Sequence, residues 1–268
     1  VTVSAPGYLY VPNYVSEADR AELTGWLGTL TPLWELRFST KRPLPPREPQ
    51  RPLLRPVYWL GNWQFACLGY YHPTKRKLDA AVAAEPFPPV LARLVAQIEA
   101  RARKVLPAGD IPKGWHLNTC LVNFYGKKPG ADDAARVGSH ADDEPGPVAS
   151  LSFGERALIQ FVRRGRNTDG PVRSEWLADR SLQLFAGATY KDTLLHRIQR
   201  VEDKAKTDLA PKIPGWRTRR INLTLRYVPD ADVVPYAKLA PQAREDVREY
   251  VETLAATSAF WAGARDGA

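Results

Sequence analysis

The clearest pattern in the chain is Arg220-Ile-Asn-Leu-Thr-Leu-Arg-Tyr227, which alternates polar and apolar residues without a break. A strand turns successive side chains to opposite faces, so Arg220, Asn222, Thr224 and Arg226 share one face and Ile221, Leu223, Leu225 and Tyr227 the other. If the polar face points inward, its guanidinium groups need anionic partners, because buried unpaired charge is costly. The alternative is a one-sided sheet whose polar face meets water. Upstream, the chain from Trp115 onward reads mostly as strands. Three helices are predicted around it. Ser16 N-caps one that runs to about Leu30, with Ala21, Leu23, Trp26, Leu27 and Leu30 as its apolar positions. A second, from Pro88 to about Val105, is amphipathic and should pack on the outside of the sheets. The third, from Ala240 to Thr257 with Pro241 near its start, turns Ala243, Val247, Tyr250, Val251 and Leu254 toward one side. It reads as a packing or oligomerisation element.

Between the first helix and the strands, Arg37 to Pro56 holds six prolines and six lysines or arginines against one glutamate, which excludes a regular helix or a central strand. It is an irregular loop or edge hairpin, serving either as a substrate-gripping lid through Arg42, Arg47 and Arg51 or as a solvated connector. The aromatic run that follows, Tyr58, Trp59, Trp63, Phe65, Tyr70 and Tyr71, is mostly core, although exposed aromatics beside basic residues stack on nucleobases.

Candidate chemistry centres on Gly138-Ser-His-Ala-Asp-Asp-Glu144. The two-residue repeat of a strand aims His140 and Asp142 at one point. An H-x-D pair alone is weak, since surface polar clusters contain it by chance. Two imidazoles and one carboxylate on a single face of Fe(II) leave the opposite face free for cosubstrate and O2. A third ligand must then come from a distant histidine, and the chain offers only His72, His116 and His196 besides His140. His196 is the best candidate, because Leu194, Leu195 and Ile198 around it suggest a strand that lies beside the first. His116 precedes the strand leading to Asn123, and His72, in Tyr-Tyr-His-Pro, reads as a turn residue. On the alternating strand, a planar guanidinium fork suits a dicarboxylate, with one arginine on its remote end and the other steadying the metal end.

Together these residues resemble the AlkB family of Fe(II)- and 2-oxoglutarate-dependent dioxygenases. The likeness runs in order through Asn123-Phe-Tyr125, His140-Ala-Asp142-Asp143-Glu144, Ser150-Leu-Ser-Phe-Gly154, His196 and Arg220 to Arg226, covering roughly residues 8 to 228. It implies iron on His140, Asp142 and His196, which form the catalytic centre. It implies 2-oxoglutarate held by Asn123, Tyr125, Arg220, Asn222 and Arg226, with Arg220 on the distal carboxylate. Glu144 is implied to lie near a substrate base, and Tyr70 and Tyr71 match the substrate-proximal region. The implied fold is α+β, mainly β: a double-stranded β-helix (jelly-roll) core with flanking helices. The chain departs from the family in longer loops at 126–139, which include Lys127, Lys128, Asp132 and Asp133, and at 202–218. It also has Gly187-Ala188 where the family often has Gly-Asp.

At 268 residues the chain is expected to be one domain, 1–268, with a helical extension over 229–268. No apolar run approaches the length of a membrane span, and Val1 to Tyr8 lacks the pattern of an export signal. Two cysteines, Cys67 and Cys120, make no disulfide framework, so a cytoplasmic monomer is expected. The net charge of +9 is unevenly placed: residues 155–226 hold sixteen lysines and arginines against eight acids, a net of +8. That balance fits a polyanionic partner, and alkylated DNA or RNA is the expected one. The expected reaction is oxidative dealkylation of N-methylated bases, releasing formaldehyde, succinate and CO2. The alternative is a hydroxylase or demethylase of a protein side chain or small molecule, which would use the same iron and arginine residues. An inactive nucleic-acid-binding jelly roll is the remaining class.

Overall fold

The computed structural model describes residues 1–37, 51–64, 81–131, 136–165, 170–199, 209 and 213–267. Its centre is a seven-stranded antiparallel sheet. The strand order is Val3–Ala5, Tyr8–Val11, Ser181–Phe185, Val148–Gly154, Arg217–Arg226, Thr119–Lys127 and Val57–Leu60. A four-stranded antiparallel sheet faces it, in the order Arg173–Leu177, Ala157–Arg163, Leu194–Gln199 and Val137–His140. Between Val137 and Arg226 the chain passes repeatedly from one sheet to the other, so each sheet is built from strands distant in sequence.

The alternating strand sits inside the larger sheet, and both of its faces are buried. Ile221, Leu223 and Leu225 are fully covered and join one apolar cluster with Leu23 and Leu27 of the first helix and Leu91, Leu94 and Ile98 of the second. The opposite face points into the space between the sheets. There Arg220, Asn222 and Arg226 are only 3%, 6% and 8% exposed, which rules out the solvated one-sided sheet. One part of that interior is apolar: Phe161 of the smaller sheet meets Tyr8 and Phe185 of the larger edge-to-face, with ring centroids 5.8 and 5.4 Å apart. The remainder is polar.

The first helix spans Glu17–Leu27, three residues shorter than the periodicity suggests. Its Ser16 cap forms as expected, Oγ accepting the Asp19 N–H at 3.0 Å, an arrangement that contributes about 1 kcal/mol. The second helix, Pro89–Val105, covers the outer face of the larger sheet. The C-terminal segment differs from a single helix: Pro241–Ala255 is followed by Ala259–Asp266, which Ser258 starts by accepting the Trp261 N–H at 3.3 Å. Val247, Val251, Leu254 and Trp261 are buried against the main cluster, Trp261 meeting Trp63 at 5.4 Å. The segment is therefore a packing element. In the basic, proline-rich stretch, Leu36–Arg37 pairs antiparallel with Arg51–Pro52, as an edge hairpin would. Among the described residues no helix is long and apolar enough to cross a membrane.

Candidate active site

His140 ends its strand in the smaller sheet, and its register partner on the neighbouring strand is His196. Adjacent positions on paired strands bring their rings to 4.2 Å between centroids. Asp142, two residues on, reaches the same point, with Oδ1 3.9 Å from His140 Nε2 and Oδ2 3.4 Å from His196 Nε2. Donor atoms of all three residues lie within 4.8 Å of one another. His140 Nδ1 is 2.8 Å from the Gly138 carbonyl. A carbonyl only accepts, so Nδ1 carries a proton there, which makes Nε2 the ring nitrogen turned toward Asp142 and His196. Burial among Phe161 and Phe185 pushes the His196 pKa down to about 3 against the pull of Asp142, so this imidazole is neutral at physiological pH.

Asp142 stays ionised for a different reason. Burial pushes its pKa up, but Arg226, then His196 and His140, outweigh that and hold the carboxyl well below the usual range. Arg226 Nη2 is 2.9 Å from Asp142 Oδ1, and its Nε is 3.6 Å from Glu144 Oε1. Glu144 also accepts the Gln64 Nε2–H at 2.9 Å. Among the described residues, Asp142 Oδ2 and Glu144 Oε2 are buried without a hydrogen-bond donor of their own. Two imidazoles beside an ionised carboxylate with a spare oxygen fit a divalent transition metal.

Behind this cluster, the residues expected to hold the cosubstrate fall in consecutive rows of the larger sheet. Asn222 pairs with Asn123, and Arg220 with Tyr125. Asn222 Nδ2 donates to Ser150 Oγ at 2.7 Å, and Arg220 Nη2 to Ser152 Oγ at 3.0 Å. The Arg220 guanidinium lies 4.8 Å from the Tyr125 ring centre, and its Nε and Nη1 are buried with no hydrogen-bond acceptor among the described residues. Burial, the largest influence, lowers the Arg220 pKa, with Tyr125 opposing. A buried cation with unused donors fits an anionic ligand such as a carboxylate.

The structure thus brings together His140, Asp142, Glu144 and His196, and lines up Asn123, Tyr125, Arg220, Asn222 and Arg226 behind them. Arg42, Arg47, Tyr70 and Tyr71 lie outside the described residues, as do His72, Cys67 and much of the two longer loops; of Arg51 only the backbone is described. His116 takes no part, its ring being 3.8 Å from Asp230 and 5.0 Å from the Tyr227 ring. Three buried residues come from outside the sequence pattern. Gln64 holds Glu144. Arg55 donates from Nε to Asn123 Oδ1 at 2.7 Å. Lys191 donates to the carbonyls of Glu144 and, at 2.8 Å, Gly146. Lys191 sits in a π-helical turn, Ala188–Thr193, entered through Gly187 at φ +71°, where a Cβ would lie 2.5 Å from an Asp110 carboxylate oxygen. The carboxylate can swing aside, and it is the positive φ that favours glycine at the position.

Comparison with known proteins agrees with this geometry. No curated protein matches the chain. Among solved structures the fold is similar to that described as "The structure of OsALKBH1", with a TM-score of 0.56 at 20% identity, covering 84% of this chain and 100% of the other. The fold is AlkB-like. Residues 7–226 match the family described as the 2OG-Fe(II) oxygenase superfamily. That span includes the whole triad and both arginines of the central strand, so the chain belongs to the 2OG-Fe(II) oxygenase superfamily and is a dioxygenase that works with Fe(II), 2-oxoglutarate and O2.

Proposed function

We propose that this dioxygenase removes N-methyl groups from bases of DNA or RNA, with His140, Asp142 and His196 as iron ligands and Asn123, Tyr125, Arg220, Asn222 and Arg226 around 2-oxoglutarate. The iron reading is carried by one observation, the convergence of two imidazoles and a carboxylate within 4.8 Å. The two facing antiparallel sheets support a double-stranded β-helix core. The burial of the C-terminal helices against it supports one domain over 1–268.

When bound, iron with 2-oxoglutarate and O2 supplies oxidative hydroxylation of a C–H bond; a hydroxylated N-methyl group then breaks down to the free base and formaldehyde. The protein's part is orientation and charge. Arg226 fixes Asp142 through Oδ1, leaving Oδ2 toward His196. The Gly138 carbonyl fixes the His140 tautomer. His196 and Asp142 face the protein interior, whereas the His140 side chain is 38% exposed, so a substrate approaches from the His140 side. Glu144, beside Asp142, has a free carboxylate oxygen able to accept from an exocyclic amino group of a base extruded from its stack.

The nucleic-acid substrate is supported by the concentration of positive charge in residues 155–226 and by the outer face of the sheet that carries both histidines. There Arg197 bonds Gln160, and Arg156 stacks 4.3 Å over the half-exposed Trp176. The test is mass spectrometry of paired methylated DNA and RNA oligonucleotides incubated with the protein, Fe(II), 2-oxoglutarate and ascorbate. Demethylation is expected, together with oligonucleotide binding that weakens with salt by about 0.7 to 0.9 log unit per log unit of salt for each neutralised phosphate. Decarboxylation of 2-oxoglutarate with no methylated nucleic acid turned over would move the assignment to a protein side chain or small molecule.

A further inference from the structure

Tyr125 is flanked by two arginines, and only one of them belongs to the alternating strand. On one side Arg220 is its register partner. On the other, Val57 pairs with Asn123 at the start of the edge strand, and the Phe124 N–H donates to the Pro56 carbonyl at 3.1 Å, so antiparallel pairing carries Arg55 alongside Tyr125. Arg55 and Arg220 lie 5.0 and 4.8 Å from the Tyr125 ring centre. Both are buried, at 5% and 3% exposure. Like charges so placed repel, and Arg55 is among the groups that lower the Arg220 pKa.

The acidic side of this account is short. Asp142 and Glu144 are engaged by Arg226 at the metal end of the pocket. Glu155 forms an ion pair with Arg219 at 3.1 Å and also favours the charged form of Arg220, as a smaller influence on it than burial, Tyr125 and Arg55. Arg55 makes its hydrogen bond to a neutral amide, Asn123, and has no carboxylate partner among the described residues. Two buried guanidinium groups around one phenol therefore call for an anion from outside the protein. Because they stand on either side of Tyr125, a carboxylate brought to the phenol can take one fork from each.

We propose that Arg55 is a second guanidinium for the distal carboxylate of 2-oxoglutarate, acting with Arg220 and Tyr125, and that it sets the preference of the pocket for a dicarboxylate over a monocarboxylate. This rests on the cosubstrate reading of the Arg220 pocket. The position lies outside the alternating strand, at the end of a basic, proline-rich stretch, and its role depends on edge-strand pairing. Asn123 is part of the same device: with its Oδ1 held by Arg55, the amide is fixed in orientation.

The experiment compares 2-oxoglutarate with 2-oxovalerate, which has the same carbon chain without the distal carboxylate. Binding of each to the Mn(II)-loaded full chain is measured by titration calorimetry without O2, for wild type, Arg55→Met and Arg55→Lys. Arg55→Met is expected to weaken 2-oxoglutarate at least tenfold more than it weakens 2-oxovalerate, so the ratio of affinities falls tenfold or more. Arg55→Lys, which keeps the charge but loses the fork, should lower the ratio about threefold, and it serves as the test if the methionine variant does not fold. An unchanged ratio in the variants, including equal weakening of both keto acids as from a general loss of structure, would overturn the proposal. A wild-type protein that binds the two keto acids equally would overturn the cosubstrate reading of the pocket, and this inference with it.

Discussion

Arg226→Met in the metal-free protein isolates the charge balance of the site. The substitution keeps the length and apolar stem of the side chain and removes the cation 2.9 Å from Asp142 and 3.6 Å from Glu144. Both carboxylates stay buried, at 7% exposure each, with Lys191 as the remaining buried cation beside them. Removing one partner of a buried pair costs roughly 3 to 5 kcal/mol, chiefly because the other charge is left uncompensated. For a chain of this size each kcal/mol moves the melting temperature by about 2 to 4 °C, so a fall of roughly 10 °C is expected. Thermal unfolding followed by circular dichroism in chelator measures it. The decisive comparison is the double variant with Asp142→Asn. If the loss arises from a stranded carboxylate, neutralising Asp142 returns about 2 kcal/mol to the Arg226→Met protein, as a coupling between contacting groups. A melting temperature within 2 °C of wild type (about 1 kcal/mol at most), or strictly additive effects of the two substitutions, would refute the reasoning.

Other outcomes follow from the same geometry. His140→Ala should abolish Fe(II) binding, read by calorimetry with Mn(II) as a redox-inert probe, because two remaining donors make an incomplete facial site; wild-type affinity would remove His140 from the ligand set. In the metal-free protein His196 has a folded pKa of about 3 against 6.5 for the free side chain, so the unfolded chain takes up the proton first. Its contribution is complete above about pH 6.5 and is lost as pH falls toward 3, about 2 kcal/mol of it by pH 5. Urea unfolding should show a flatter pH dependence for His196→Gln than for wild type, and parallel profiles would contradict the shift. Gly61→Ala should destabilise by about 3 kcal/mol, since its φ is +74° and the new Cβ would lie 2.0 Å from the Asn118 carbonyl oxygen; an unchanged urea midpoint would count against that turn.

The parts of the site that were legible in the sequence are those carried by short-range periodicity. Arg220 to Arg226 alternate along one strand, so their common face follows from strand geometry alone, whereas His140 ends its strand and the two-residue spacing to Asp142 pointed to the pair although Asp142 lies just beyond it. Whether the polar face of the arginine strand met water depended on the second sheet, whose strands interleave along the chain with those of the first, and local pattern does not carry that pairing. Arg55 was hidden for a related reason. It closes a stretch of six basic residues and six prolines, whose composition reads as solvated, and only the pairing of Val57 with Asn123 carries it into the interior. Lys191 carried no signal in a polar segment, since its position depends on a π-helical turn. The second C-terminal helix had a cap in Ser258, but three small or polar residues before it, Ala255, Ala256 and Thr257, read as a continuation of the first.

Lys191 gives the site a property that the triad alone would lack. Its ammonium ties the carbonyls of Glu144 and Gly146, in the loop after Asp142, to the turn that leads directly into the His196 strand. The two segments that deliver the proposed metal donors are thereby stapled together by the protein's own charge, so a cation entering the site has little chain left to order and little entropy to overcome. Apoprotein and holoprotein should then differ in occupancy more than in shape. A substitution at Lys191 would mimic the loss of a ligand, loosening metal capture while every donor atom is still present.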